Sequence, residues 1–126
     1  MSVADTTHTG PLGLWRGTAT HDEHTDEFAL SFAADGTVSL TTPFSTGEGT
    51  WTATGARSFS YTIREVFNDR SVMPGWIAIN VDATHFEGTY TGSGLCYVHA
   101  PDGTVVGSTF AHVTGHRQNP PESDPS

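Results

Sequence analysis

The sequence predicts an all-β fold, an eight-stranded antiparallel up-and-down β-barrel, and three observations carry that prediction. Apolar and polar residues alternate with period two in several segments. Clusters with turn chemistry recur at short intervals. No segment of ten or more residues shows the apolar spacing of a helix.

The turn clusters are Ala34-Asp35-Gly36, Thr46-Gly47, Thr54-Gly55, Phe67-Asn68-Asp69, Met73-Pro74-Gly75 and Pro101-Asp102-Gly103. Between them lie runs rich in Thr, Val, Phe, Tyr and Ile, which suit a pleated, half-buried surface. The first strand is expected over 13–21, opening on Gly13-Leu14-Trp15. In the second, 25–33, Phe28, Leu30 and Phe32 share one face, and Glu27, Ala29 and Ser31 take the other. In the third, 36–42, Val38 and Leu40 oppose Ser39 and Thr41. The fourth, 48–54, lies between two Thr-Gly turns. The fifth, 57–67, sets Phe59, Tyr61, Ile63, Glu65 and Phe67 against Ser58, Ser60, Thr62, Arg64 and Val66. The sixth, 75–83, follows Met73-Pro74-Gly75, and the seventh and eighth, 85–99 and 104–117, flank Pro101-Asp102-Gly103. Connections this short make sequential strands neighbours, and eight of them close into a barrel with room for side chains or one small ligand.

With 126 residues and 13.4 kDa, the chain suffices for one domain, expected over 11–117 between disordered tails at 1–10 and 118–126. Cys96 is the only cysteine, so no intramolecular disulfide forms. The first fourteen residues have neither a basic start nor an apolar run, so no signal peptide is expected. No stretch approaches the roughly 20 apolar residues of a membrane span. The localisation read from these features is cytoplasmic. Fourteen acidic residues against five arginines give a formal net charge of −9, a surface that repels nucleic-acid phosphates. The chain has no lysine, which removes Schiff-base and P-loop chemistry.

Gly13-Leu14-Trp15 on the first strand and His116-Arg117 at the end of the last resemble the signature of lipocalins and the wider calycin group. That signature is a G-x-W whose indole is covered by a basic residue from the final strand. The resemblance implies a calycin-type barrel in which Trp15 and Arg117 form a structural plug at the closed end, guanidinium on indole. In size, and in standing alone as a barrel, the chain is also similar to actinomycete natural-product cyclases of the allene-oxide-cyclase-like type. That similarity is one of fold and size only.

Several residues are candidates for chemistry. Glu65 interrupts the apolar face of the fifth strand, so alternation turns its carboxylate inward. Burial there raises a carboxyl pKa toward the range of a general acid or base, whereas a place at the rim would pair it with an arginine such as Arg70. Tyr61 lies one inward step away, and its phenol suits orienting a carbonyl. His21 lies in phase with Trp15 through Gly17 and Ala19 and is a candidate proton shuttle at the far end of its strand. These three form the expected catalytic set. Phe28, Phe32, Trp51, Phe59, Trp76, Tyr90 and His112 are the expected ligand-binding set, with the inward or outward facing of His112 left open. The stretch from His21 to Glu27 contains metal-ligand residue types, but alternation scatters neighbouring side chains, so a solvated acidic loop is expected and no metal site. Ser93 lacks a nucleophile-elbow context. Gly47, Gly49, Gly88, Gly92, Gly94, Gly107 and Gly115, set against large rings, are read as leaving internal space or marking bends.

The function these features imply is a barrel enclosing a small hydrophobic molecule, a cyclase or isomerase of polyketide- or terpenoid-like biosynthesis working without a cofactor. The alternatives are a non-catalytic carrier or sensor of the same kind of ligand and a barrel with a fully packed interior. The expected partner is a small hydrophobic molecule, with no nucleic acid and no membrane; a homodimer is left open.

Overall fold

The computed structural model describes residues 11–118. Its strands are β1 (Gly13–His21), β2 (His24–Phe32), β3 (Thr37–Thr41), β4 (Ser45–Ala53), β5 (Ser58–Phe67), β6 (Trp76–Phe86), β7 (Thr89–His99) and β8 (Val105–Arg117). Each pairs antiparallel with the next, and β8 returns to pair with β1 from Trp15↔Arg117 to Thr20↔His112, closing the barrel. Closure gives every strand a partner on both sides, so no strand forms the free edge that an open sheet must protect. The fold is all-β, and among the described residues there is no helix, hence none long and apolar enough to cross a membrane. The proposed tails lie outside the described residues except Gln118, whose amide donates to the Leu14 carbonyl.

The boundaries differ from expectation in two instructive places. β4 starts at Ser45, three positions before the expected 48, because Thr46-Gly47 pairs with Val66 and Glu65 in the ladder instead of turning. The β6–β7 hairpin turns at Glu87-Gly88, not near position 84. Both residues have positive φ, 51° and 84°, which matches the two-residue turn whose twist suits antiparallel strands. The β1–β2 hairpin uses the same device with Asp22 and Glu23 at φ 47° and 69°, neither of them glycine. Asx turns hold other connections: Asp35 accepts from the amide and hydroxyl of Thr37, and Asp69 does the same for Ser71.

Strand alternation sorts the side chains cleanly. Trp15, Leu30, Phe32, Val38, Phe59, Tyr61, Ile63, Val81, Tyr90 and Val113 point inward and form the core. Taking this apolar surface out of water stabilises the fold by about 1.5–3 kcal/mol for each fully buried large side chain. Most inward glycines serve closeness of strands. A Cβ on Gly17, Gly49 or Gly94 would strike the backbone of the neighbouring strand, and one on Gly115 would lie 2.5 Å from the Tyr90 ring. The expectation that such glycines open internal space holds at Gly107, which lines the cavity and around which a Cβ would meet nothing within 4 Å.

Candidate functional site

Up-and-down topology gives the barrel two unlike ends. At the end where β1 begins, Trp15 is fully buried; its indole Nε1 donates to the Pro11 carbonyl at 2.7 Å, and its ring packs edge-on with that of Tyr90, centroids 5.1 Å apart. The Arg117 guanidinium lies over the Trp15 ring at 4.5 Å and donates to the Leu12 carbonyl. Phe32, Phe59, Tyr61 and Tyr90 pack edge-on or stacked with centroids 5.4–6.5 Å apart. This end is a solid aromatic plug.

The opposite half is hollow. A cavity of about 380 Å³ opens between the β1–β2 hairpin, the β3–β4 connection, the facing ends of β5, β6 and β7, and the first half of β8. That volume lies near the lower end of ordinary small-molecule sites, roughly 300–1,000 Å³. Phe28, Leu30, Ile63, Ile79, Val81 and Val113 make an apolar wall, and Tyr61 belongs to the lining from below. The Tyr61 hydroxyl meets that of Tyr90 at 3.2 Å, which satisfies two phenols in a dry interior. Burial pushes the pKa of both far up, so both stay neutral at physiological pH.

Polar groups gather where the cavity opens. Glu65, half-buried on β5, accepts a hydrogen bond from the hydroxyl of Ser45, which is fully buried at the start of β4. Ser45 in turn meets Thr42 Oγ1 at 2.7 Å. Desolvation raises the Glu65 pKa above its ordinary 4.5; the Ser45 hydrogen bond opposes this, the charge of Asp26 adds to it and His21 opposes it. His21 Nε2 lies 3.0 Å from Asp26 Oδ2 across the first hairpin, and Thr109 Oγ1 of β8 donates to Asp22 Oδ2 at 3.0 Å. Cys96 of β7 is buried on the same wall, its thiol pushed up to about 11 by desolvation and by the Glu65 charge.

The structure therefore brings Glu65, Tyr61, His21 and Phe28 to one cavity. The other expected ligand-binding residues lie elsewhere. Phe32, Phe59 and Tyr90 are inward but belong to the aromatic plug, and none of them lines the cavity. Trp51 also sits at that end, its indole donating to the Ala33 carbonyl at 2.8 Å and its ring edge-on to Phe32 at 6.1 Å. Trp76 points outward, because its inward neighbours in sequence are Ile77 and Ile79. Its ring is sandwiched between Arg64 at 3.9 Å and His99 at 5.0 Å. His112 is exposed and stands edge-on to the exposed Phe110; Ala111 and Val113 take the inward positions. Nor does Arg70 pair with Glu65: its guanidinium donates to the carbonyls of Pro74 and Gly75.

Asp26 and Cys96 on the lining, and Ser45 behind Glu65, complete the site without having been singled out for it. Asp26 was legible, since it continues the inward series Phe28-Leu30-Phe32 by one step. Among the described residues, no group of three or more His, Cys, Asp or Glu side chains is arranged to hold a metal ion.

Fold and site together define a closed eight-stranded antiparallel barrel, plugged at one end and hollow at the other. No family model matches the chain, and no curated protein matches it. Two solved structures share its fold. A redesigned β-barrel is 17% identical with a TM-score of 0.63, covering 86% of this chain and 91% of that one. EF1p2_mFAP2b bound to DFHBI is 14% identical with a TM-score of 0.64, covering 93% and 100%. At these identities the likeness is one of fold, and it supports a barrel without assigning it to the calycins.

Proposed function

We propose that this protein binds a small hydrophobic molecule in the open half of its barrel. The observation that carries this reading is the cavity itself: about 380 Å³ walled by aliphatic and aromatic side chains, with a carboxylate fixed at one place on its wall. Apolar walls supply affinity in proportion to the area they take from water, and a few placed polar groups fix orientation. The similarity of fold to a barrel bound to DFHBI is consistent with a small-molecule ligand.

Titration with the neutral fluorophore prodan tests this reading. Wild type is expected to bind one equivalent with a blue shift and micromolar affinity. Gly107→Phe, which projects a ring into the open space beside β8, is expected to abolish binding while the protein remains folded. Absence of a blue shift in wild type, or binding undiminished in Gly107→Phe, contradicts it.

A catalytic version of the same reading, an isomerase or cyclase of polyketide- or terpenoid-like molecules, is favoured by one specific observation. Glu65 combines a raised carboxyl pKa with a hydrogen bond from Ser45 that fixes its orientation toward the cavity. Such a group removes a proton from the carbon beside a ligand carbonyl and returns it to another position, so no cofactor takes part. Tyr61 stays protonated and donates to the developing enolate oxygen, His21 relays protons at the mouth, and the wall holds reactive ends together. Exchange of the α-protons of 2-tetralone into deuterated water, followed by NMR, reports this chemistry. Acceleration by wild type and its loss in Glu65→Gln support catalysis; equal rates in both, with prodan binding intact, leave a carrier or sensor.

A further inference from the structure

The charges around the cavity point to a ligand class. Four carboxylates belong to its lining, Asp22, Asp26, Glu27 and Glu65, with His21 as the one basic side chain among them. The chain has no lysine, and each of its arginines is placed away from the lining. Arg16 is exposed on the outward face of β1; Arg57 lies over Phe86, Arg64 over Trp76 and Arg117 over Trp15; Arg70 is held by the carbonyls of Pro74 and Gly75. Of the two oxygens of Glu65, Oε2 takes the Ser45 hydroxyl, and Oε1 has no hydrogen-bond partner among the described residues. Oε1 is also not sealed from solvent, since no buried side-chain oxygen lacks a partner.

We propose that the cavity is selective for an apolar organic cation, a protonated amine on a hydrophobic body, with the ammonium at Glu65 Oε1 and Asp26 and the body among Phe28, Ile79 and Val113. This inference rests on the ligand-binding reading above and names its substrate class. Four carboxylates gathered around a single histidine repel one another, and a cation seated among them relieves that repulsion while the apolar wall desolvates the rest of the molecule. The same field works against amphipathic acids such as fatty acids, whose head group would meet like charge at the mouth.

Three ligands on one skeleton separate the possibilities by calorimetry at neutral pH: 2-(2-naphthyl)ethylamine, 2-(2-naphthyl)ethanol and 2-naphthylacetate. The amine is expected to bind about tenfold or more tighter than the alcohol, as a charge-assisted hydrogen bond implies, and the acetate more weakly than either. Glu65→Gln is expected to bring the affinities of amine and alcohol within about threefold of each other. Asp26→Asn, at an exposed rim position that tolerates substitution, lowers the amine preference by a smaller factor. An amine no tighter than the alcohol, or an acetate as tight as the amine, overturns the selectivity and leaves small-molecule binding standing. Failure of all three ligands together with prodan overturns the binding reading itself.

Discussion

The two halves of the barrel interior are made from the same eight strands and the same alternation, yet they are filled in opposite ways. Toward the plugged end, the inward positions carry Trp15, Phe32, Phe59 and Tyr90, rings large enough to meet across the barrel axis. Toward the open end, the inward positions carry Ala19, Ile77, Cys96, Val98 and Gly107, which are too short to meet. An eight-stranded cylinder is just wide enough for large side chains to close it, so side-chain size decides which half is solid and which is hollow. The difference teaches that the packed core and the open cavity occupy separate halves of one small domain.

The largest expected effect tests the solid half. Trp15→Ala removes the indole, its hydrogen bond to Pro11 and the surface on which Arg117 rests, and is expected to cost about 3–5 kcal/mol in urea unfolding. Ile79→Ala, on a wall that already faces open volume, is expected to cost about 1–2 kcal/mol, because no new enclosed void forms. Comparable losses at the two sites would break the contrast. Tyr90→Phe leaves the Tyr61 hydroxyl without its partner in the dry interior and is expected to cost about 1–3 kcal/mol, again by urea unfolding.

Much of this arrangement was legible because β5 reads it out in order: Phe59, Tyr61, Ile63 and Glu65 run from plug to mouth along one face. The barrel itself followed from period-two alternation and short turns, and the contact of Trp15 with Arg117 is present. What the sequence hid were partners from other strands. Ser45 stands before a glycine-rich run with no apolar alternation, so nothing local marked it as inward or placed it against Glu65. His112 was undecided until the pairing of Trp15 with Arg117 set the phase of β8. Trp76 looked like cavity wall because it is large and aromatic. Its burial comes instead from Arg64 and His99 on the outer surface, a long-range packing that composition does not encode.

Smaller effects sharpen the picture of the open half. The Glu65 carboxyl, faced by Ser45 and Thr42 from the β3–β4 side, by Asp26 and His21 from the first hairpin and by Cys96 from β7, has its pKa raised in the folded state above the ordinary 4.5. The folded state therefore holds this proton more tightly than the unfolded state. The resulting stability is fully present below pH 4.5 and is lost as the pH rises through the higher folded value. Glu65→Gln lacks that loss, so its stability relative to wild type is expected to increase with pH above 4.5 in paired urea titrations. A constant difference across that range would contradict the burial of this carboxyl.

The smallest expected effect concerns the rim. Glu23 holds φ at 69°, a conformation that costs a side-chain-bearing residue about 1 kcal/mol, and Glu23→Gly is expected to recover about that much in thermal or urea unfolding. A destabilised variant would mean that the Glu23 side chain contributes more to the mouth than its backbone conformation costs.

The contrast between the halves is tested most directly by a crystal structure determined under xenon pressure, since xenon enters dry apolar voids that protein atoms leave unfilled. The account predicts a xenon peak among Phe28, Ile79 and Val113 and no peak among Trp15, Phe59 and Tyr90. Xenon inside the aromatic end, or an open half too tightly filled to admit it, would contradict the account.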